Sequence, residues 1–170
     1  AGARCATHLF NAMSQFGNRE PGLVGAVLTE PVFAGLIADA IHVVPAAMKI
    51  AMAANPAGVF LVSDCMAVAG TSMTEFTLGG RRILRRDGRL TLEDGTLAGA
   101  DLTLPQAIAT LVQQVGVAPE MAFAMATSRP AACLGRPALG QLRPGAAADF
   151  VHLGPDFGLR GVWRAGRRLV

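Results

Sequence analysis

At 170 residues and 52% hydrophobic content the chain is long enough for one domain with a real core, but it holds no uninterrupted apolar stretch of the roughly 18–20 residues that a membrane span needs. Its formal net charge of +3 comes almost wholly from arginine, with Lys49 the only lysine. The densest basic cluster is Arg81, Arg82, Arg85, Arg86 and Arg89; with no Tyr and one Trp to stack on bases, it reads as the polar face of a hairpin and not as a nucleic-acid surface.

Residues 4–9 read as a buried strand, followed by a polar, Gly-rich loop from Asn11 to Gly22. Leu23 to Leu28 make a short helix that Glu30-Pro31 breaks. Residues 33–38 form the next strand. Pro45 opens a helix, Ala46 to Ala54, because proline suits the first helical position. Asn55-Pro56-Ala57-Gly58 ends it, and residues 59–63 are a third strand. Strands apolar on both faces, alternating with helices, predict right-handed crossovers and a parallel sheet.

After Asp64 the period changes to short alternating runs, Glu75–Leu78, Arg82–Arg85 and Arg89–Leu92, separated by Gly79-Gly80 and Asp87-Gly88. Both dipeptides accept positive φ, so a small antiparallel meander is expected. Helical periodicity returns at Pro105–Val115, Pro119–Ala126 and around Pro130–Leu134. Asp149–Leu153, Leu159–Trp163 and Arg167–Val170 finish the chain as strands. The first residues, Ala-Gly-Ala-Arg-Cys, carry neither an initiator Met nor a signal-peptide core and read as a cut point. Cys5, Cys65 and Cys133 are odd in number and widely spaced, which fits a reducing, cytoplasmic setting better than a disulfide scaffold.

Each of the three early strands ends on an ionisable residue, and a parallel barrel does its chemistry at such ends. His8 is either a ligand for zinc or iron or a core histidine bonded to backbone. Cys5 and His8 have a C-x-x-H spacing, but no second pair stands near enough for a structural zinc site. Asp64 is either a general base beside a cation or the cap of the next turn. His42 could donate a hydrogen bond to an anionic substrate, and Asp39 reads as a turn former. Arg19 is either a phosphate contact or a solvated charge. Backbone N–H groups at Asn11 and Ala12 could cradle phosphate oxygens. Asp101 either caps the helix near Pro105 or borders the site, the cap being favoured; His152 reads as structural, and Cys65 as a thiol without a base partner.

Several segments together resemble the N-acetylglucosamine-6-phosphate deacetylase family of the amidohydrolase superfamily. They are Thr7-His-Leu-Phe-Asn-Ala-Met13, Asn18-Arg-Glu-Pro-Gly-Leu-Val-Gly25, Leu36-Ile-Ala-Asp-Ala-Ile-His-Val43, Leu61-Val-Ser-Asp-Cys-Met-Ala-Val-Ala-Gly70 and Leu97-Ala-Gly-Ala-Asp-Leu-Thr-Leu104. Ala126-Thr-Ser-Arg-Pro-Ala131 and Gly140-Gln-Leu-Arg-Pro-Gly-Ala-Ala-Ala-Asp149 are common to many amidohydrolases.

The resemblance implies an α/β chain holding the C-terminal part, the last three strands, of a (β/α)8 TIM-like barrel. Residues 1–135 would be that partial barrel, with a β-hairpin insertion at 71–97, and residues 136–170 the C-terminal strands of a small β-sandwich. His8 would be a ligand for a divalent metal ion, zinc first, with iron or cobalt as alternatives. Asp64 would be the catalytic acid/base, and His42 and Leu102 would contact the sugar. Asn11 and the Ala12 amide would hold the phosphate, and Arg19 would reach the neighbouring site of a homodimer.

The implied reaction is hydrolysis of the N-acetyl amide of N-acetylglucosamine 6-phosphate to glucosamine 6-phosphate and acetate. Ala40 departs from the glycine usual in the family's Asp-Gly-x-His segment, and Cys65 from its alanine. No segment supplies the family's glutamate ligand, its second histidine ligand or its carbonyl-polarising histidine, so the isolated chain is expected to be inactive. The competing readings are a non-catalytic sugar-phosphate-binding or assembly module and an amidohydrolase acting on another amide.

Overall fold

The structure, a computed structural model, describes residues 2–170. Strands β1 (Cys5–Ala6), β2 (Phe33–Leu36) and β3 (Val59–Leu61) form a parallel sheet in that order. Helix α1 (Gly22–Thr29) connects the first pair and α2 (Pro45–Ala54) the second, as the alternation of apolar runs predicts. The strands are shorter than the runs that announced them. Beyond Ala6, Leu36 and Leu61 the backbone leaves the ladder, and the site-bearing residues lie in the turns that follow.

The helices are tied to the sheet by side chains as well as by packing. Asn55 at the end of α2 donates from Nδ2 to the Val27 and Val32 carbonyls and accepts the Gly58 N–H at Oδ1. One amide thus joins α1, the entrance to β2 and the entrance to β3. Leu36, Ile37, Met48, Val59, Leu111 and Met125 are fully buried at the centre of the main core.

The meander has four strands: β4 (Glu75–Leu78), β5 (Arg81–Arg86), β6 (Arg89–Thr91) and β7 (Leu97–Ala100), antiparallel in sequence order. The fourth, short and glycine-containing, was not expected from the alternation. Val68, Ile83 and Leu90 make a separate small core beneath this sheet. The Ala100 N–H fastens it to the turn after β3 by donating to the Asp64 carbonyl at 2.8 Å, and within the meander and its exit Arg85 Nε donates to Asp101 Oδ2 at 2.7 Å.

The Arg85 contact corrects the reading of Asp101 as a helix cap. Thr103 caps α3 (Leu104–Thr110) instead, in a reciprocal arrangement with Gln106. The Thr103 side chain accepts the Gln106 N–H, and Gln106 Oε1 accepts the Thr103 N–H. A threonine three residues ahead of a glutamine makes this box, whereas Asp101 is drawn to the guanidinium.

The helix expected through Val115 changes hydrogen-bond pattern at Leu111 and closes as a π-turn on Gly116, whose φ of 83° suits a residue without Cβ. Helices α4 (Pro119–Ala126) and α5 (Ser128–Cys133) pack against β3, and Arg129 Nη1 donates to the Val59 carbonyl at its start. Strands β8 (Phe150–Leu153), β9 (Leu159–Arg164) and β10 (Arg167–Arg168) form a third, antiparallel sheet. Phe150 stacks on Trp163 there at 4.8 Å, with Arg168 over the indole. No helix among the described residues is long and apolar enough to cross a membrane.

Candidate active site

The turns after β1, β2 and β3 converge on one open cavity of about 590 Å³. His8, Asn11 and Ala12 reach it from the first turn, His42 from the second and Asp64 from the third. Its remaining wall comes from Ile37, Cys65 and Met66 and from Leu97 and Gly99 of β7.

The chain turns sharply at each of these ends. His8 (φ 39°), Ala12 (φ 50°), Ala40 (φ 61°) and Asp64 (φ 48°) all take left-handed conformations that cost an L-residue about 1–2 kcal/mol each. Such strain persists only where surrounding contacts over-determine it. Here they do: the Leu9 N–H donates to the Gly35 carbonyl, the Asn11 N–H to the His8 carbonyl, and Asp64 is held through Ala100.

Gly99 has a steric reason to be glycine. Its φ is +51°, and a Cβ would come within 2.6 Å of the Met66 side chain and 3.2 Å of the Asp64 carbonyl. An isolated glycine inside a strand is the signal of such close approach, and it marks Leu97 and Gly99 as cavity wall. The resemblance implied that Leu102 would contact the sugar. Leu102 is 4% exposed, belongs to the main core and does not line the cavity.

His8 Nδ1 is buried and has no hydrogen-bond partner among the described residues. An imidazole nitrogen in that condition suits a Lewis acid or a donor from a neighbouring segment. Among the described residues, however, no group of three His, Cys, Asp or Glu side chains stands close enough to hold a metal ion. The donor set therefore fits one corner of a metal site without completing it.

Asp39 does more than form a turn. Its Oδ1 accepts the Ile41 and His42 N–H groups at 2.8 Å each, and its Oδ2 lies 2.6 Å from His42 Nδ1. Both side chains are more than nine-tenths buried.

In the first turn the Asn11 N–H is spent on His8 and one Asn11 amide hydrogen on the Leu9 carbonyl, whereas the Ala12 N–H has no backbone partner among the described residues. Of the two amides, Ala12 is the one left for a ligand. Arg19 stands outside the cavity lining, exposed on the loop before α1 and in no hydrogen bond or ion pair with the described residues. Cys65 lines the cavity and accepts a hydrogen bond from the Ser63 hydroxyl. His152 lies on β8, away from this site.

Known proteins are similar to this chain over nearly its whole length. The amidohydrolase family matches residues 1–169. The N-acetylgalactosamine-6-phosphate deacetylase of Shewanella sp. (strain ANA-3) is 36% identical over 99% of this chain and 43% of its own length. The N-acetylglucosamine-6-phosphate deacetylase of Danio rerio is 35% identical over 99% of this chain and 44% of its own. Among solved structures, N-acetylglucosamine-6-phosphate deacetylase from Pasteurella multocida superposes with a TM-score of 0.95 at 32% identity, over 98% of this chain and 45% of that one. A mutant of the Mycobacterium smegmatis enzyme, in complex with N-acetyl-D-glucosamine-6-phosphate, gives 0.91 at 34% identity, over 99% and 46%. The chain thus spans less than half the length of the curated relatives it matches. With the family matching along 1–169 and the fold superposing at these scores, the chain belongs to the amidohydrolase family.

Proposed function

We propose that this chain is the C-terminal part of a deacetylase that hydrolyses the N-acetyl amide of an amino-sugar 6-phosphate, with N-acetylglucosamine 6-phosphate as substrate and glucosamine 6-phosphate and acetate as products. The observation that carries the reading is the meeting of His8, His42 and Asp64, from the C-terminal ends of three parallel strands, on one cavity. In this reading β1, β2 and β3 are the last three strands of a (β/α)8 barrel. Residues 1–135 belong to the barrel, with 71–97 inserted, and 136–170 to a small β-sandwich.

Asp64 takes a proton from the attacking water and returns it to the departing amine, a role that its place at the cavity mouth allows. His42 meets the sugar, and the free Ala12 N–H, beside Asn11, meets the phosphate. Arg19 offers its guanidinium fork to the phosphate in a neighbouring subunit of a homodimer. His8 is this chain's ligand for a divalent metal, zinc first, which when bound would polarise the amide carbonyl and lower the pKa of water. Among the described residues no further His, Cys, Asp or Glu side chains complete a ligand set around His8.

The N-acetylgalactosamine epimer is a second reading, supported by the two relatives at 36% identity that carry that name. Acetate release from both epimers by the whole protein, with and without Asp64→Asn, tests these proposals. Asp64→Asn should lower turnover on the order of 10²–10⁴-fold, the usual worth of a general acid/base. Unchanged turnover in that variant would remove the reading, and the preferred epimer decides between the two sugars. Glucosamine 6-phosphate that binds without turnover, with binding lost in Arg19→Ala, would favour a sugar-phosphate-binding module.

A further inference from the structure

The Asp39–His42 pair has a consequence for which nitrogen faces the substrate. An imidazole has two nitrogens, and in the neutral ring one carries hydrogen while the other accepts. Asp39 is committed as an acceptor by the two backbone N–H groups on Oδ1, and its Oδ2 lies 2.6 Å from His42 Nδ1. The shared proton therefore sits on Nδ1. Nε2 is left without hydrogen in the neutral ring, on the side chain that lines the cavity.

We propose that Asp39 is a positioning residue that holds His42 as its Nδ1–H tautomer and so presents Nε2 to the substrate as a hydrogen-bond acceptor. The group that His42 meets is then a donor, a sugar hydroxyl, and the phosphate is left to the Ala12 side of the cavity. This revises the expectation that His42 donates to an anion, and it rests on the sugar-phosphate reading above. The buried, doubly anchored carboxylate also fixes the ring plane, because the Ile41 and His42 amides hold Oδ1 while Oδ2 holds the ring.

Asp39→Asn separates this role from turn formation. An asparagine Oδ1 still accepts both amides and keeps the turn, but its Nδ2 donates toward His42 Nδ1 and forces hydrogen onto Nε2. In ¹⁵N-histidine-labelled whole protein, long-range ¹H–¹⁵N correlation spectra between pH 7 and 9 report the tautomer, with His42 signals assigned by their loss in His42→Gln. The wild type should show the Nδ1–H pattern and Asp39→Asn the Nε2–H pattern, with the melting curve nearly unchanged. Turnover of the phosphorylated N-acetyl sugar should fall in kcat/KM on the order of 10–100-fold, as for other residues that orient a site histidine.

A wild-type ring that is Nε2–H, or that stays doubly protonated throughout, overturns the proposal without any variant. So does Asp39→Asn that folds with its tautomer or its kcat/KM unchanged. The spectra need no substrate. Failure of the deacetylase reading, seen as activity untouched by Asp64→Asn, is therefore distinguishable from failure of the tautomer assignment.

Discussion

Ala40 sits at the bend that carries His42 into the cavity, with φ at 61° and a Cβ that this conformation penalises. Ala40→Gly should raise stability by about 0.5–1 kcal/mol, the relief of left-handed strain less the added freedom of the unfolded chain. For a chain of this size that is roughly 1–4 °C in melting temperature, and an unchanged or lower midpoint would contradict the strain. Cys5 offers a second test. Burial first, and the neighbouring Cys133 thiol second, push its pKa from the ordinary 9.0 up to about 11. At pH 8 that leaves roughly 100-fold less thiolate, partly offset by greater nucleophilicity, so alkylation should be roughly tenfold slower than for an ordinary exposed thiol. Because the folded value is raised, the associated stability is complete below pH 9 and is lost as pH climbs toward 11. Cys133→Ser should speed alkylation of Cys5, which mass spectrometry of the modified peptides would show.

At the scale of elements, the decisive contacts are few and polar. Asn55→Ala would strand the Val27 and Val32 carbonyls and the Gly58 N–H at the meeting of α1, β2 and β3. Three lost partners in a half-buried setting should cost about 2–3 kcal/mol, or roughly 5–10 °C on a melting curve. Asn55→Asp should be no milder, since it sets a carboxylate against two carbonyl oxygens. The meander depends on Arg85 in a comparable way. Its Nη1 donates to the Thr71 carbonyl at 2.7 Å while its Nε holds Asp101. The neighbouring Arg82 is spent on Glu75 and Glu93. Part of the basic stripe is thus internally neutralised, and its paired members act as structural ties for the sheet that bears Leu97 and Gly99.

Across the whole molecule, the parallel sheet ends on β1 at one edge and β3 at the other, and the described residues pair neither outer edge with a further strand. Large apolar side chains such as Phe16, Ile50, Leu134 and Leu142 are more than three-fifths exposed. The candidate metal corner has one histidine and no complete ligand set among the described residues. The 170-residue chain alone should therefore show no measurable deacetylation of N-acetylglucosamine 6-phosphate, and added zinc should leave its melting temperature within error, because a single imidazole holds a metal weakly. Acetate release by the purified chain, or a clear zinc-dependent shift, would contradict this.

The sequence by itself determined the alternation of strand and helix, the hairpin turns at Gly79-Gly80 and Asp87-Gly88, and the placing of His8, Asp39 and Asp64 just after three strands. These follow from local chemistry: apolar period, proline at a helix start, and residues that tolerate positive φ. Family membership was legible as well, because motifs such as Thr7-His-Leu-Phe-Asn-Ala-Met13 are contiguous. Only the tertiary structure decided that Asp101 serves Arg85 while Thr103 caps the helix, that Leu97 and Gly99 wall the cavity while Leu102 joins the core, and that the Ala12 N–H is free while that of Asn11 is spent. It also gave Asp39, a turn former as read, a second role as the partner of His42. The physical reason is common to all four. A hydrogen-bonding group or an apolar side chain takes the best partner within reach, and reach is set by how distant segments pack.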